Sequence, residues 1–380
     1  MSWRRVVPGL CVCMALAAGC GGDGTSPTTT RGHWEAMGNF NNLVNAMIIY
    51  DGDLIVGGAF TDAGGTAANH VARWDGQSWH ALGDGVRFES GGYDIGSVRA
   101  LAVYDGNLIA GGFFNEAGGG TTYDIAQWDG SSWAPLGSGI SDDALIHGPY
   151  CMAIYAGDLI VGGRFFDAGG VAVHHIARWD GTSWHDVGGG VAGETVTNVA
   201  DLLVYDGKLV AGGAFTEAGE VDAAYIAQWD GSSWTSFGPG MSDDVVSLLA
   251  YDGGLVAGGI FLAAGEVTVN CIAYWDGASW SSLGSGVSGE VAGLTTVYSL
   301  TLYDGGLIAG GNFNHAGGTG AACIAEWDGS TWKGLGSGLG GGFLLTAAVA
   351  MAEYNNDLIV GGDFTSAGGK TARFIAKWGE

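Results

Sequence analysis

The sequence predicts an all-β fold: a seven-bladed β-propeller of four-stranded antiparallel blades, its ring closed by the N-terminal strand completing the last blade. Three observations predict it. First, a tyrosine opening a tight turn recurs at Tyr50, Tyr104, Tyr155, Tyr205, Tyr251, Tyr303 and Tyr354, and a tryptophan follows each after the same 24 residues. Second, another tryptophan, Trp79, Trp133, Trp184, Trp234, Trp280 or Trp332, follows six of these units, while a seventh, Trp34, stands at the opposite end of the chain. Third, 74 glycines and 15 tryptophans in a chain that is 47% hydrophobic and only 14% charged suit short strands joined by glycine turns. Disordered chains lack such aromatic content.

Residues 101–139 serve as one copy. Leu101 to Tyr104 and Leu108 to Phe114 are apolar runs joined by Asp105-Gly106, the dipeptide that most favours a type I′ hairpin turn. They read as the first two strands, without clean alternation because both faces are to be buried between neighbouring sheets. Ile125 to Trp128 and Trp133 to Leu136 flank Asp129-Gly130-Ser131-Ser132 and make the third and fourth strands. The spacing between copies varies from 46 to 54 residues although the 24-residue unit does not, so insertions fall in the other connections.

A four-stranded meander cannot bury both faces alone and must stack on its neighbours in a row or a ring. The split repeat selects the ring: the last copy stops after its third strand at Gly379-Glu380, and the fourth is supplied by Gly32-His33-Trp34-Glu35-Ala36-Met37-Gly38. The pattern V/A-G-G-x-F-x-x-A-G-G, then I-A-x-W-D-G-x-S-W-x-x-L-G-x-G, runs through residues 32–380. It resembles the kelch-like propeller repeats of secreted bacterial proteins and the related repeats of Rax2-like fungal cortical proteins. The turn is also similar to the Asp-box of sialidases, but its Asp and Gly adjoin where that motif separates them, so no Asp-box property is carried over.

Residues 1–20 read as an export signal: Arg4 and Arg5, an apolar stretch from Val6 to Ala18 too short to span a bilayer, and small residues before Cys20. Leu16-Ala17-Ala18-Gly19-Cys20 resembles the lipobox of bacterial lipoproteins, with Ala17 where that motif more often has Leu. The resemblance implies lipidation of Cys20 and anchoring in the bacterial cell envelope; an ordinary cleaved signal would secrete the protein instead. Residues 21–31 carry no apolar pattern and read as a flexible tether. The domains expected are therefore 1–20 signal, 21–31 tether and 32–380 propeller.

Removing residues 1–20 takes away two arginines and no acid, leaving 11 basic against 39 acidic residues, a formal charge of −28. Such a surface repels nucleic acid and anionic head groups, so no nucleic-acid partner is expected, and membrane contact is through the lipid alone. A monomer is expected. Cys151, Cys271 and Cys323 are too few, and odd in number, for a disulfide framework.

Residues repeated in every copy are scaffold before they are site. Asp75, Asp129, Asp180, Asp230, Asp276 and Asp328 hold one turn position, where the carboxylate bonds nearby amides. Function belongs where copies differ, on the face carrying the connections after F-x-x-A-G-G and after L-G-x-G, the latter longest at 87–98. There the position before A-G-G holds Asp62, Glu116, Asp167 and Glu217, then Ala263, His315 and Ser366. This acidic arc suits a cation, a basic peptide or sugar hydroxyls, or is simply solvated; Asp142, Asp143, Asp243 and Asp244 admit the same readings. His70, Asp124, His175, Tyr225, Cys271, Cys323 and Phe374 share another position, too far apart in neighbouring blades for a shared zinc or a Cys271–Cys323 disulfide.

The function expected is non-enzymatic: an extracytoplasmic lipoprotein, binding a protein or glycan on the variable face through Asp62, Glu116, Asp167, Glu217 and His315, with no catalytic residue and no cofactor. The alternative is a carbohydrate-active hydrolase or lyase using two loop carboxylates, which need no fixed spacing across blades. A calcium-stabilised structural protein is a third reading. No nucleophile–base pair, phosphate loop or HExxH helix is present in the sequence.

Overall fold

The first strand of each repeat, as in Ser97–Tyr104, turns through two left-handed residues into the second, Asn107–Phe113. Asp105 and Gly106 have φ of 49° and 77°, which explains the Asp-Gly dipeptide. The second strand pairs with Ile125–Trp128 and that with Trp133–Pro135, all antiparallel. The computed structural model describes residues 32–90, 93–141, 148–193, 196–289, 295–343 and 346–380. The signal, Cys20, the tether and Asp142 and Asp143 lie outside the described residues. Among the described residues there is no helix, and seven four-stranded antiparallel sheets repeat this order.

The seventh sheet joins the two ends of the chain. His33–Ala36 pairs with Ile375–Gly379, Trp34 opposite Trp378, beside Asp357–Asp363 and Ala347–Tyr354. The first strand of each sheet packs on that of the next, and Ala347–Tyr354 packs on Val44–Tyr50. The core is accordingly a series of layers between sheets: Ala46, Ile55 and Val71 meet Val98, Leu101 and Leu108, and Val44 and Met47 meet Ala350 and Ile359 of the seventh sheet. The phenylalanines of the G-G-x-F segment, such as Phe60, Phe165 and Phe364, are completely buried. Each such side chain stabilises by roughly 1.5–3 kcal/mol.

The Gly-Gly pair of the second strand has two separate causes. A Cβ on Gly310 would meet Ala348 and Met351 of the neighbouring sheet, so this glycine sets the approach between sheets. A Cβ on Gly311 would sit on the Thr296 carbonyl oxygen of its own sheet. That carbonyl is brought in by a bulge in the first strand, between Val297 and Ser299, and the same bulge recurs in all seven described sheets.

The connections after the second and fourth strands are not plain loops but carry short strands of their own. Asp167–Ala168 and Val171–Ala172 form a two-residue hairpin, to which Ile140–Ser141, leaving the preceding sheet, adds a third strand. Equivalent pairings occur at each junction between neighbouring sheets, reduced to single bridges at Phe40↔Ala63 and Met241↔Ala264. Every sheet is thus latched to the next by backbone hydrogen bonds.

Candidate functional site

Two chain connections per sheet emerge at each end of the fold. One end carries the Asp-Gly and Trp-Asp-Gly turns, and it is uniform. Asp129 Oδ1 accepts the amides of Ser131 and Ser132, both at 2.8 Å. The Ser131 hydroxyl first and these amides next hold Asp129 at about 2, and Ser232 acts likewise on Asp230, also at about 2. Asp75, Asp180, Asp276 and Asp328 are lowered as well, foremost by the Ser78 amide, His185, the Ser279 amide and Lys333 respectively. Carboxyls depressed in the folded state contribute stability that is present above about pH 4 and lost as pH falls toward 2. The urea midpoint is therefore expected to fall between about pH 5 and pH 3, and the Asp129→Asn, Asp230→Asn double variant to lose less over that interval than the parent.

The tryptophans of the third and fourth strands fill the wedge between sheets. Trp128 and Trp133 lie 5.5 Å apart, and the other pairs are similar. Trp133 Nε1 donates to Leu82 O of the preceding sheet at 2.8 Å. A Cβ on Gly83, Gly137, Gly188, Gly238, Gly284 or Gly336 would meet the next sheet's third-strand tryptophan, whereas one on Gly38 would meet Gly64 and Trp79 and not Trp74. At this junction of first and last sheets a cavity of about 620 Å³ opens, lined by Trp74, Trp79, Tyr354, Asn355, Glu35 and Lys377 among others. Seven equal repeats gave no sign of it.

The opposite end is the variable face, and it carries the predicted acidic arc. Asp62, Glu116, Asp167, Glu217 and His315 each start a latch hairpin, one per sheet. Two of the carboxylates are engaged within their own turns: Asp62 Oδ1 accepts Gly65 N–H and Asp167 Oδ1 accepts Gly170 N–H, each at 2.9 Å. Glu116 stands opposite Arg87 in the latch ladder, Glu217 and His315 are exposed, and His315 Nδ1 lies 2.8 Å from Asn314 Oδ1. Among the described residues no three His, Cys, Asp or Glu side chains gather as a metal site. Asp243 Oδ1 accepts the Asp244 amide.

The set His70, Asp124, His175, Tyr225, Cys271, Cys323 and Phe374 has a backbone explanation. All seven have φ between 57° and 67°, and each donates its amide to the buried G-G-x-F phenylalanine of its sheet, as His70 does to Phe60 O at 2.8 Å. Among the described residues Cys151, Cys271 and Cys323 form no disulfide, and all three are buried. Burial pushes Cys271 and Cys323 up to about 11. Both are expected to resist iodoacetamide in the folded protein near pH 8 and to react on unfolding, as read by peptide mass mapping.

Sequence reasoning missed the exposed apolar side chains of the variable face. Tyr93, Phe166, Leu262 and Phe343 are 75%, 50%, 61% and 87% exposed, and Ile95, Tyr123 and Val196 accompany them in the same connections. Residue counts could not reveal this, because exposure is decided by the latch hairpins.

Residues 51–74 match a family described as a domain of unknown function (DUF5122) beta-propeller. No curated protein matches the chain in sequence. Among solved structures, the WD40 beta propeller domain of Doa1 is similar with a TM-score of 0.50 at 13% identity, covering 92% of this chain and 97% of that one. YCF48 bound to D1 peptide is similar at 0.52 and 14% identity, over 93% and 99%. The extracellular domain of BT4673 from B. thetaiotaomicron reaches 0.54 at 9% identity, over 90% of this chain and 40% of that one. The fold is a β-propeller. Among the described residues no helix is long and apolar enough to cross a membrane.

Proposed function

We propose that this chain is a non-enzymatic, extracytoplasmic binding or scaffold lipoprotein, with residues 1–20 a signal, Cys20 the lipidated residue, 21–31 a tether and 32–380 a seven-bladed kelch-like, Rax2-like propeller. The ring closes where His33–Ala36 pairs with Ile375–Gly379. The variable face holds a protein or glycan ligand, and the role needs neither cofactor nor metal. Export rests on the N-terminal segment, and the similar extracellular domain from B. thetaiotaomicron is in keeping with it.

One observation carries the binding reading: among the described residues, seven of the ten large exposed hydrophobic residues lie in the variable connections, interleaved with Asp62, Glu116, Asp167, Glu217 and His315. Exposed apolar groups rimmed by polar ones mark interaction surfaces, and acidic neighbours select a partner with basic groups at its edge. This combination favours a protein over a neutral glycan.

The test is a glycan array and a cross-linking pull-down from envelope fractions, followed by affinity measurement on any purified hit. Phe166→Ser, Leu262→Ser and Phe343→Ser together are expected to weaken it at least about tenfold, and Asp62, Glu116, Asp167 and Glu217 changed to Ala to weaken it less. Val103→Ser with Val204→Ser, at the uniform end, should leave it unchanged. A hit lost only on the last pair would place binding on the other face.

A further inference from the structure

The bulge in each first strand leaves one residue outside the pairing: Asn45, Arg99, Tyr150, Ala200, Val246, Tyr298 and Val349. Six of these side chains meet in two groups. Val246, Tyr298 and Val349, from three successive sheets, pack in one cluster with the first sheet. On the other side the Arg99 guanidinium carbon lies 5.3 Å from the centre of the Tyr150 ring. Asn45 Nδ2 donates to Ser97 Oγ at 3.0 Å and to Val98 O at 3.4 Å, the two residues before Arg99. The bulge positions thus make an inner lining with an apolar half and a polar sector, near the variable face where the first strands begin.

Two atoms of the polar sector are buried without a hydrogen-bond partner: Arg99 Nη1, a donor, and Asn45 Oδ1, an acceptor. A buried charge with an unmet donor is destabilising, and the repeat has cheaper solutions at this position, since Ala200, Val246 and Val349 serve three other sheets. Charge makes the exception sharper. In a strongly acidic chain, Arg73 and Arg178 are paired with Asp53 and Asp158, and Arg87 lies 3.9 Å from Glu89. Among the described residues neither Arg99 nor Arg164 has a carboxylate within ion-pair distance; Arg164 stands opposite Gly148, two residues before Tyr150, and both act electrostatically on Tyr150. The carboxylate that does act on Arg99 is Asp124; its Oδ1 accepts the Phe114 amide at 2.9 Å.

We propose that Asn45, Arg99, Tyr150 and Arg164 form a binding site for a small carboxylate that carries an adjacent hydrogen-bond donor, the carboxylate taken by Arg99 Nη1 and the donor by Asn45 Oδ1. Arginine is suited to this because its planar donors match a carboxylate. A sugar acid, through a hydroxyl, and a free amino acid, through its ammonium, share that chemistry. The site shares the variable face with the proposed partner surface, but it does not use the hairpin acids or the exposed apolar residues.

The experiment titrates the full chain with D-glucuronate, L-alanine, acetate and D-glucose by isothermal calorimetry and saturation-transfer NMR. Glucuronate or alanine is expected to bind with Kd below about 1 mM, acetate more weakly and glucose not at all. Arg99→Gln should weaken the binding at least about tenfold. Asn45→Val should reduce glucuronate or alanine toward acetate. Should Arg99→Gln fail to fold, Arg99→Val, which copies two other sheets, replaces it, with circular dichroism checking the fold. Binding of glucuronate alone identifies a sugar acid, and of alanine alone an amino acid. The proposal is overturned if no carboxylate binds at about 10 mM, if glucose binds equally, or if a folded Arg99 variant binds as the parent does. The quadruple alanine variant of Asp62, Glu116, Asp167 and Glu217 should retain carboxylate binding, which separates this site from the partner surface.

Discussion

Replacing Gly311 by alanine is expected to destabilise the domain by about 3 kcal/mol or more, while the same change at the adjacent Gly310 costs about 1 kcal/mol. The two glycines share a strand, a motif and complete burial, so composition or propensity would predict equal effects. Their surroundings differ. The new methyl group at Gly311 meets backbone, the Thr296 carbonyl oxygen and, at 3.0 Å, Val297 Cα. That backbone cannot retreat without undoing the bulge. At Gly310 the obstacles are Ala348 Cβ at 2.9 Å and Met351 Cε at 3.0 Å, the latter the far end of a flexible side chain. Urea unfolding of both variants measures the contrast. Equal losses would mean that the bulge does not dictate the second glycine.

Trp34→Ala is the second large effect, expected at about 3–5 kcal/mol, the usual range for deleting a buried tryptophan. Trp34 is 3% exposed, its ring centre lies 5.3 Å from that of Trp378, and its Nε1 donates to Leu335 O at 3.0 Å. These contacts reproduce those of Trp133 and Trp332, each of which stacks on a tryptophan of its own sheet and donates to a leucine carbonyl of the preceding one. The distinguishing outcome lies in cooperativity. Trp133→Ala leaves a continuous blade intact, whereas Trp34→Ala weakens the one sheet built from both chain ends. Trp34→Ala is therefore expected to increase hydrogen exchange in Ile375–Gly379 and in Val44–Tyr50, which packs on the seventh sheet. Protection unchanged in those strands would sink the idea that the terminal strand is structurally required.

Much of the architecture was legible because the repeat is redundant. Ile125–Trp128 is found as read, and Asp-Gly turns with both φ positive follow from the dipeptide. The pairing of Trp34 with Trp378 was readable from the split repeat alone. The latch strands were not, since Val86–Arg87 and Glu116–Ala117 are two residues long and pair between sheets, leaving no periodicity to detect. Nor did the left-handed position announce itself, because histidine, tyrosine, cysteine and phenylalanine there carry no common chemistry; the hydrogen bond to the preceding phenylalanine imposes the conformation.

The candidate site was less legible than the fold, for a related reason. Comparing copies located the variable face and the acidic residues, yet Asp62 and Asp167 serve their own hairpins, and nothing in the sequence marked the apolar groups beside them as exposed. By itself the sequence determined what local, repeated chemistry can encode: an all-β fold, the strand order within a sheet, the turn type and the pairing of Trp34 with Trp378. Only the tertiary structure decided which side chains are exposed, that the seam opens beside Trp74, and that Arg99 lies buried against Tyr150. Those properties arise between sheets, where residues about 50 positions apart meet at distances no linear spacing records.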